Sequence, residues 1–258
     1  MKHLLSGKSA RLFMILGGFF VTNALVAEFI GVKIFAFEDT FGLPELSWNL
    51  FGQTGSLALT AGVLLWPVVF IMTDLINEYY GRKAVKFLSW LTAGLIVYAF
   101  FMVYIAIELT PVDWWVGSAE KSGVVDRQAA FANIFGQGLW IIAGSLIAFL
   151  IGQVVDAGVF HWLRTLTGEK KLWLRATGST LISQFIDSFV VLYVAFVLNP
   201  KEAWSTDLFL AVGTVNYLYK FVVAVLLTPV IYLAHYLIDQ YLGEELSEEI
   251  RSKARENQ

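Results

Sequence analysis

The stretch STLISQFIDS at 179–188 places a carboxylate and an amide in a run of Leu, Ile and Phe. If this stretch is helical, at about 100° per residue, Gln184 and Asp187 share one arc with Thr180 and Ser183. The opposite side is apolar and carries Leu181, Ile182, Phe185 and Phe189. A carboxylate accepts paired N–H groups, whereas an amide both donates and accepts. The stretch therefore predicts a recognition edge for a flat heterocycle that is rich in N–H donors.

Three further stretches place polar side chains inside apolar runs: VFIMTDLINEYYGRK at 69–83, GQVVDAGVFHWLR at 152–164 and NYLYK at 216–220. An ionisable group inside a membrane-spanning run is costly and is a functional candidate by default. The candidate substrate-binding residues from all four stretches are Asp187, Gln184, Gln153, Asp156, Asp74, Lys220, Asn216, Asn77 and Phe70. Lys220 is the one base well inside such a run, so we expect one of the carboxylates to pair with it. We predict neither catalytic residues nor metal ligands.

Structural roles stay open for several of these candidates. Asp74, Glu78 and Arg82 are spaced at i, i+4 and i+8, as in a salt-bridge ladder at the end of a helix. Asp156 and Arg164 are also eight residues apart, which allows the same interpretation. The aromatic residues in these stretches fit packing or lipid contact as well as they fit stacking on a ligand ring.

The elements that carry these residues follow from the composition. Of the 258 residues, 57% are hydrophobic and 15% are charged, and the mean hydropathy is +0.67, which is far outside the range of soluble domains. A helix needs about 20 apolar residues to cross roughly 30 Å of hydrocarbon. Six stretches reach this length, namely 11–35, 56–79, 84–108, 130–160, 172–198 and 207–238. We predict an all-α integral membrane protein with six transmembrane helices.

The positions of Lys and Arg predict the orientation. With the N-terminus inside, thirteen of the eighteen Lys and Arg residues fall on the inner side. We therefore expect a cytoplasmic N-terminus at 1–10, a membrane domain at 11–241 and a cytoplasmic polar tail at 242–258, which most simply continues the last helix before it frays. The outer segments 36–55 and 109–129 contain Gly and Pro, so they should be irregular or carry short interfacial helices.

Several function classes are disfavoured by the sequence. A net charge of −3 provides no basic surface for nucleic acid, and three scattered His with no Cys form no metal motif. A phosphate-binding loop is absent, so this chain is not expected to hydrolyse ATP. An intramembrane enzyme acting on a lipid-linked substrate would need paired metal-binding acids, a Ser/His arrangement or a GxGD-type aspartate, and none stands out. We expect a protein that is not an enzyme and needs no cofactor.

Four motifs taken together resemble the queuosine precursor transporter family, also called the vitamin uptake transporter family. They are TDLINEYYG at 73–81, GQVVDAGVFHWLR at 152–164, STLISQFIDS at 179–188 and NYLYK at 216–220. The resemblance implies an inner-membrane importer with six helices, similar in architecture to the substrate-binding component of energy-coupling-factor vitamin transporters. It also implies substrates such as 7-cyano- or 7-aminomethyl-7-deazaguanine, which are salvaged for tRNA modification.

The resemblance combined with the polar residues leads to specific expectations. Asp187 and Gln184 should form the recognition pair, and a proton-coupled cycle would use Asp74 or Asp156. The expected partners are a nucleobase-like small molecule and the lipid bilayer, with no nucleic acid. A homodimer and an energising partner both stay open. The alternative is a vitamin-binding membrane subunit that depends on a separate ATP-driven module.

Overall fold

The apolar runs form helices because a chain that crosses hydrocarbon must satisfy its own backbone hydrogen bonds. The computed structural model describes residues 7–136, 138–167, 172–201 and 203–256. The helices are α1 (Lys8–Ile30), α2 (Phe37–Phe41), α3 (Trp66–Glu108), α4 (Asp113–Val116), α5 (Arg127–Phe135), α6 (Leu139–Thr167), α7 (Leu172–Leu192), α8 (Thr206–Leu242) and α9 (Glu244–Glu256). A π-helical turn, Tyr193–Val197, extends α7.

Within the described residues, five helical stretches are long and apolar enough to cross a membrane. They are Lys8–Ile30, Ala61–Glu108, Arg127–Thr167, Leu174–Val197 and Thr206–Leu242. These five stretches confirm the predicted class, a helical membrane protein.

The segments outside these stretches contain short helices and strands. The short helices α2, α4 and α5 lie in or next to the segments where interfacial helices were expected. Four strands were not predicted, namely β1 (Ile34–Ala36), β2 (Trp48–Leu50), β3 (Gln53–Gly55) and β4 (Ala58–Thr60). They form two antiparallel pairs, β1 with β4 and β2 with β3. At three residues each, these strands are too short to show an alternating pattern in the sequence.

Helix ends differ from the predicted spans at three places. The first span was predicted to reach residue 35, but α1 ends at Ile30 and the chain continues into β1. The second was predicted from residue 56, but α3 begins at Trp66, with Pro67 in its first turn, where the missing N–H costs nothing. The predicted span 130–160 is divided, because α5 ends at Phe135 before α6 begins.

Helix α3 reverses direction at Gly81. Its 43 residues would measure about 65 Å as one straight helix, roughly twice the hydrocarbon thickness. Gly81 breaks the helix with φ 80° and ψ 174°. The turn before α3 packs on the C-terminal end of α1. Near the start of α1, the Ser9 carbonyl accepts from the Tyr80 hydroxyl at 2.7 Å. Beyond the break, the Phe100 ring returns to within 5.2 Å of the Phe29 ring. The two halves of α3, 66–80 and 82–108, therefore run in opposite directions along α1.

A close helix contact joins α6 to the end of α7. A Cβ on Gly144 would lie 2.9 Å from the carbonyl oxygen of Val191. Small residues at such a crossing allow two backbones to approach closely, which is how membrane helices gain packing energy. The apolar core then extends from α1 through both halves of α3 to α6, α8 and α9, and its largest fully buried side chains include Tyr79, Phe20 and Phe160.

The polar tail does not continue the last helix. Gly243, with φ 86° and ψ 153°, ends α8, and α9 follows as a separate helix. Ile250 and Ala254 of α9 are buried, and α9 packs against α3 beside the break at Gly81. The sequence pattern was misread here, because even a small number of apolar residues in a charged segment is enough to dock an amphipathic helix.

Candidate functional site

A cavity lies between α3, α7 and α8, and its empty volume, open solvent included, is about 520 Å³. The polar lining residues are Asp74, Thr177, Thr180, Gln184, Tyr219 and Lys220. The apolar lining residues are Val63, Trp66, Pro67, Phe70, Ile71, Val223, Ala224, Leu227 and Ile231. Four of the predicted binding residues therefore meet at one cavity: Asp74, Gln184, Lys220 and Phe70.

Asp74 and Gln184 present unused hydrogen-bonding atoms at this cavity. Asp74 is 1% exposed and Gln184 is 4% exposed. Within the described residues, neither carboxylate oxygen of Asp74 has a hydrogen-bond partner, and neither has Nε2 of Gln184. Buried polar groups are normally hydrogen-bonded, so an unpaired set at a cavity marks a site for a ligand. The site offers two acceptors from a carboxylate and a donor from an amide.

The walls of the cavity suit a flat ring. Trp66, Pro67 and Phe70 line it from the first turns of α3, while Val223 and Leu227 line it from α8. Aromatic and aliphatic side chains surround most of the surface, and the polar groups are few and convergent. Such a lining, with the unpaired acid Asp74 in it, disfavours strongly anionic ligands and can orient a flat heterocycle by its edge.

Lys220 and Asp187 form an ion pair at the side of the cavity, with Nζ 2.5 Å from Oδ2. The expectation that one carboxylate pairs with Lys220 is confirmed. Lys220 lines the cavity, whereas Asp187 is not among the lining residues. The sequence placed Asp187 with Gln184 in the recognition pair, but in the structure the carboxylate that faces the cavity beside Gln184 is that of Asp74. The helical phasing of α7 was right, since Thr180, Ser183 and Gln184 are buried.

Three predicted residues lie behind the cavity, in the packing of α6 on α3 and α7. Gln153 accepts from Thr73 Oγ1 at 2.8 Å, and Asn77 donates to the Ala157 carbonyl at 3.3 Å. Asp156 accepts from Ser183 Oγ at 3.1 Å. None of the three predicted residues lines the cavity. Asn216 is half-buried on α8 and is not part of the lining either.

Glu78 is held by two arginines from other helices. Its Oε1 accepts from Arg175 at 2.9 Å and from Arg164 at 3.3 Å, and all three side chains are buried. The predicted ladder would have paired Glu78 with Arg82 and Asp156 with Arg164, and the structure pairs neither set. Arg175 was not among the candidates. Its partner lies 97 positions away in the sequence, so no local spacing could have revealed it.

A second polar network that the sequence did not reveal joins α3, α8 and α9. Tyr79 donates to Asp239 Oδ1 at 2.7 Å, and its hydroxyl lies 3.2 Å from His235 Nδ1. Arg251 donates to both Asp239 oxygens at 2.6 and 2.7 Å. His235 and Asp239 are one turn apart on α8, which was the only available signal. Among the described residues, no group of three or more His, Asp or Glu side chains could hold a metal ion.

Comparison with known proteins identifies the family to which this arrangement belongs. A family model described as "Putative vitamin uptake transporter" matches residues 60–234. A Bacillus subtilis (strain 168) protein named "Probable queuosine precursor transporter" is 31% identical over 192 residues, which are 74% of this chain and 76% of that protein. The chain belongs to the vitamin uptake transporter family.

Further relatives of this vitamin uptake transporter carry the same kind of name. The "Queuosine precursor transporter" of Escherichia coli (strain K12) is 25% identical over 166 residues, 64% of this chain and 67% of that protein. The "Probable queuosine precursor transporter" of Haemophilus influenzae (strain ATCC 51907 / DSM 11121 / KW20 / Rd) is 24% identical over 168 residues, 65% of this chain and 64% of that protein. No solved structure matches the chain.

The region matched by the family model contains the whole cavity lining, from Val63 to Ile231. It also contains Asp156 and the ion pair of Lys220 with Asp187. Helix α9 lies outside it. This member of the vitamin uptake transporter family is a membrane transporter, and its cavity lies in the part of the chain that the family shares.

Proposed function

We propose that this transporter imports a queuosine precursor, a 7-deazaguanine base, and binds it in the cavity between α3, α7 and α8. The names of the relatives support this class of substrate. The single observation that carries the proposal is the buried Asp74 carboxylate, which belongs to the cavity lining and whose two oxygens lack a hydrogen-bond partner within the described residues. Such a carboxylate is matched by a ligand that donates two hydrogen bonds along one edge.

A 7-deazaguanine meets this requirement. Its ring N–H and exocyclic amine are adjacent and can donate to the two oxygens of Asp74. Its carbonyl oxygen can accept from the amide of Gln184 or from the ammonium of Lys220. The flat ring would contact Phe70, Trp66 and the aliphatic side chains of α8. A substituent at the 7-position would point away from the paired edge.

We further propose that the chain crosses the cytoplasmic membrane six times. Five helical stretches have the required length, and the reversal of α3 at Gly81 would divide one of them into two crossings. The clusters around Glu78, Asp239 and Arg251 lie at the end of the bundle where the inner Lys and Arg residues are expected. Both termini would then be cytoplasmic. Single cysteines introduced at position 7 or position 256 test the sidedness in intact cells. Labelling of either cysteine by a thiol reagent added outside the cells would contradict cytoplasmic termini.

The substrate is tested by uptake of radiolabelled 7-cyano-7-deazaguanine into bacterial cells that lack their own transporter. Cells that produce this chain should accumulate the label, and unlabelled base should compete. Asp74→Asn should lower the initial rate by about tenfold to a hundredfold, because a hydrogen bond to a charged group is worth about 1.5–3 kcal/mol. Ile182→Val, on the exposed side of α7, should leave the rate unchanged. Equal uptake with and without the chain would refute the proposal.

Purified chain in liposomes distinguishes a self-sufficient transporter from a subunit that depends on an ATP-driven module. Exchange of labelled for unlabelled base across vesicles that contain only this chain supports the proposal. If exchange requires added ATPase subunits that co-purify with the chain, the protein is the vitamin-binding subunit instead. The Asp74→Asn variant should lose exchange in either format, since it removes recognition of the base.

A further inference from the structure

Two carboxyl groups lie close together inside the bundle, and one of them reaches the cavity. Asp74 on α3 lines the cavity, while Asp156 on α6 lies behind it and is 0% exposed. Thr73 and Asn77 of α3 donate to Gln153 and to the Ala157 carbonyl of α6, so the turns that carry Asp74 and Asp156 lie side by side. Within the described residues, neither Asp74 nor Asp156 forms a salt bridge. Asp156 accepts from the Ser183 hydroxyl, and neither acid has a counter-charge in the described part of the chain.

Burial limits the charge that this pair can hold. An ionised carboxylate without a counter-charge is strongly disfavoured away from water, and two neighbouring carboxylates repel each other. When the cavity closes around a base, the N–H groups of the base stabilise one negative charge, at Asp74. The second carboxyl, Asp156, must then be protonated. When water fills the cavity, Asp74 is solvated and the pair can lose that proton.

The surroundings of Asp156 accept both protonation states. Ser183 Oγ lies 3.1 Å from Asp156 Oδ1 and 3.0 Å from the carbonyl oxygen of Thr180. The hydroxyl has a single proton, so it can donate to only one of them at a time. It donates to Asp156 when that group is ionised. When Asp156 is protonated, its own O–H can donate to Ser183, which then donates to Thr180. Neither state leaves the Ser183 hydroxyl without a partner.

We propose that Asp156 is the proton-binding site of transport and that one proton enters the cell with each base. This rests on the proposed function, because the base is the ligand that ionises Asp74. The proton passes from Asp74 to Asp156 as the base binds. After the base leaves toward the cytoplasm, water in the cavity stabilises Asp74, and Asp156 returns its proton through Asp74 to that side.

A proton fits this position better than a metal cation. Asp156 does not line the cavity, and among the described residues no group of three or more His, Asp or Glu side chains could hold a metal ion. A proton needs no such group of ligands.

The charged groups on the elements that pack around Asp156 are consistent with one exchangeable proton. From α3 these are Asp74, Glu78 and Arg82, whose Nη2 lies 3.7 Å from the position of a Cβ on Gly158, and from α7 they are Arg175 and Asp187. Arg164 lies further along α6 itself and pairs with Glu78, while Glu28 of α1 accepts from Ser145 toward the other end of α6. Asp187 and Glu78 have basic partners, whereas the described residues offer none to Asp74 or Asp156. Of these two acids, only Asp74 lines the cavity.

The decisive experiment uses purified chain in liposomes, with the membrane potential held at zero. Uptake of labelled 7-cyano-7-deazaguanine is driven by a gradient of one pH unit, alkaline inside. Wild-type protein should accumulate the base about tenfold. With one proton per base, a difference of one pH unit across the membrane balances a tenfold difference in base concentration. Asp156→Asn, which keeps the shape of a protonated carboxyl, should still exchange base across vesicles without a gradient but should show no accumulation.

Ser183→Ala provides a variant that keeps both carboxyl groups. Loss of the hydroxyl removes a donor to the ionised form of Asp156, so the proton should be held more tightly. The pH dependence of gradient-driven uptake should shift to higher pH by about half a unit to one unit. The matched control is Ser89→Ala, because Ser89 is also buried but donates only to its own helix, at the Val85 carbonyl. A role for Ser183 in packing alone would give no such shift.

The outcomes separate this inference from the substrate assignment. Wild-type accumulation that ignores the gradient, or full gradient-driven accumulation by Asp156→Asn, overturns the proton site, while persisting exchange of the base leaves the proposed function intact. If wild-type protein exchanges no base at all, the proposed function fails. The proton site is then decided by infrared spectroscopy of the purified protein. A protonated-carboxyl C=O band that disappears in Asp156→Asn supports it, and an unchanged spectrum overturns it.

Discussion

Gly81 of α3 and Ala254 of α9 are in direct backbone contact, so that a Cβ added to Gly81 would lie 2.9 Å from the Ala254 carbonyl oxygen. This contact joins two features of the fold, the reversal of α3 and the docking of the C-terminal helix. It also allows α9 to cover the turn between the two halves of α3. Gly81 is required there for two reasons, its backbone conformation and its lack of a side chain.

Gly81→Ala should therefore destabilise the protein. The backbone conformation of Gly81, φ 80° and ψ 174°, is one that L-residues avoid at a cost of about 1–3 kcal/mol, and the contact with Ala254 adds to this. The thermal unfolding temperature in detergent should fall. Gly94→Ala is the matched control, because Gly94 lies on the same helix with nothing within 4 Å of the added Cβ. Equal effects of the two substitutions would contradict the role of the turn.

Asp239→Ala should release α9 from the bundle. The carboxylate of Asp239 accepts from Arg251, Tyr79 and Ser247, so its removal leaves a half-buried guanidinium without its main partner. Hydrogen exchange of the backbone amides of 244–256 should accelerate by about tenfold or more.

Glu249→Ala serves as the control for that experiment. This substitution also removes the acid of an ion pair, the one that Glu249 forms with Lys253. Both side chains are exposed, and exposed ion pairs contribute little to stability. Its exchange pattern should match that of the wild type. Unchanged exchange in Asp239→Ala would mean that α9 is held by its apolar contacts alone.

The ion pair of Lys220 with Asp187 should behave as a unit. Asp187→Leu alone leaves a largely buried ammonium without its counter-charge, and breaking such a pair typically costs about 3–5 kcal/mol. The double variant Asp187→Leu with Lys220→Met should recover most of the lost stability, because neither charge remains. Thermal unfolding of Asp187→Leu, Lys220→Met and the double variant measures the coupling. Additive losses would show that the two residues act independently.

The ionisation of Glu38 should make the stability of the first outer segment depend on pH. The backbone N–H of Leu57 donates to Glu38 Oε1 at 2.9 Å, and this hydrogen bond lowers the pKa of Glu38 below its usual value. Because the ionised form is favoured in the folded segment, its contribution to stability is present above the unfolded pKa. The contribution is lost as the pH falls through the lower, folded pKa.

Hydrogen exchange of residues 34–60 tests this sign. Between about pH 5 and pH 3, the range in which a Glu protonates, exchange corrected for its intrinsic pH dependence should accelerate in the wild type. Glu38→Gln should exchange faster at neutral pH and should lack the acid-induced change. Glu45→Gln, in the same segment and exposed, should behave as the wild type. Identical acid responses in all three proteins would contradict the assignment.

The sequence predicted well those features that depend on one helix and its solvent. The membrane class, the approximate spans and the inward arc of α7 all follow from the rule that lipid accepts apolar side chains and rejects polar ones. That rule acts on each residue separately, so a periodic pattern within one helix is sufficient. The burial of Ser183 and Gln184, opposite the exposed Ile182 and Phe185, illustrates it.

The arrangement of the inward-facing residues was decided by tertiary structure. The sequence put Asp74, Asp156 and Asp187 on inward faces, but it could not say that Asp187 meets Lys220 or that Asp74 faces the cavity. It also could not pair Glu78 with Arg175 or dock α9 on Gly81. These relations depend on the rotation, depth and crossing of neighbouring helices, which are set by close packing between distant parts of the chain. Local pattern determines which side of a helix faces inward, and only packing decides what that side meets.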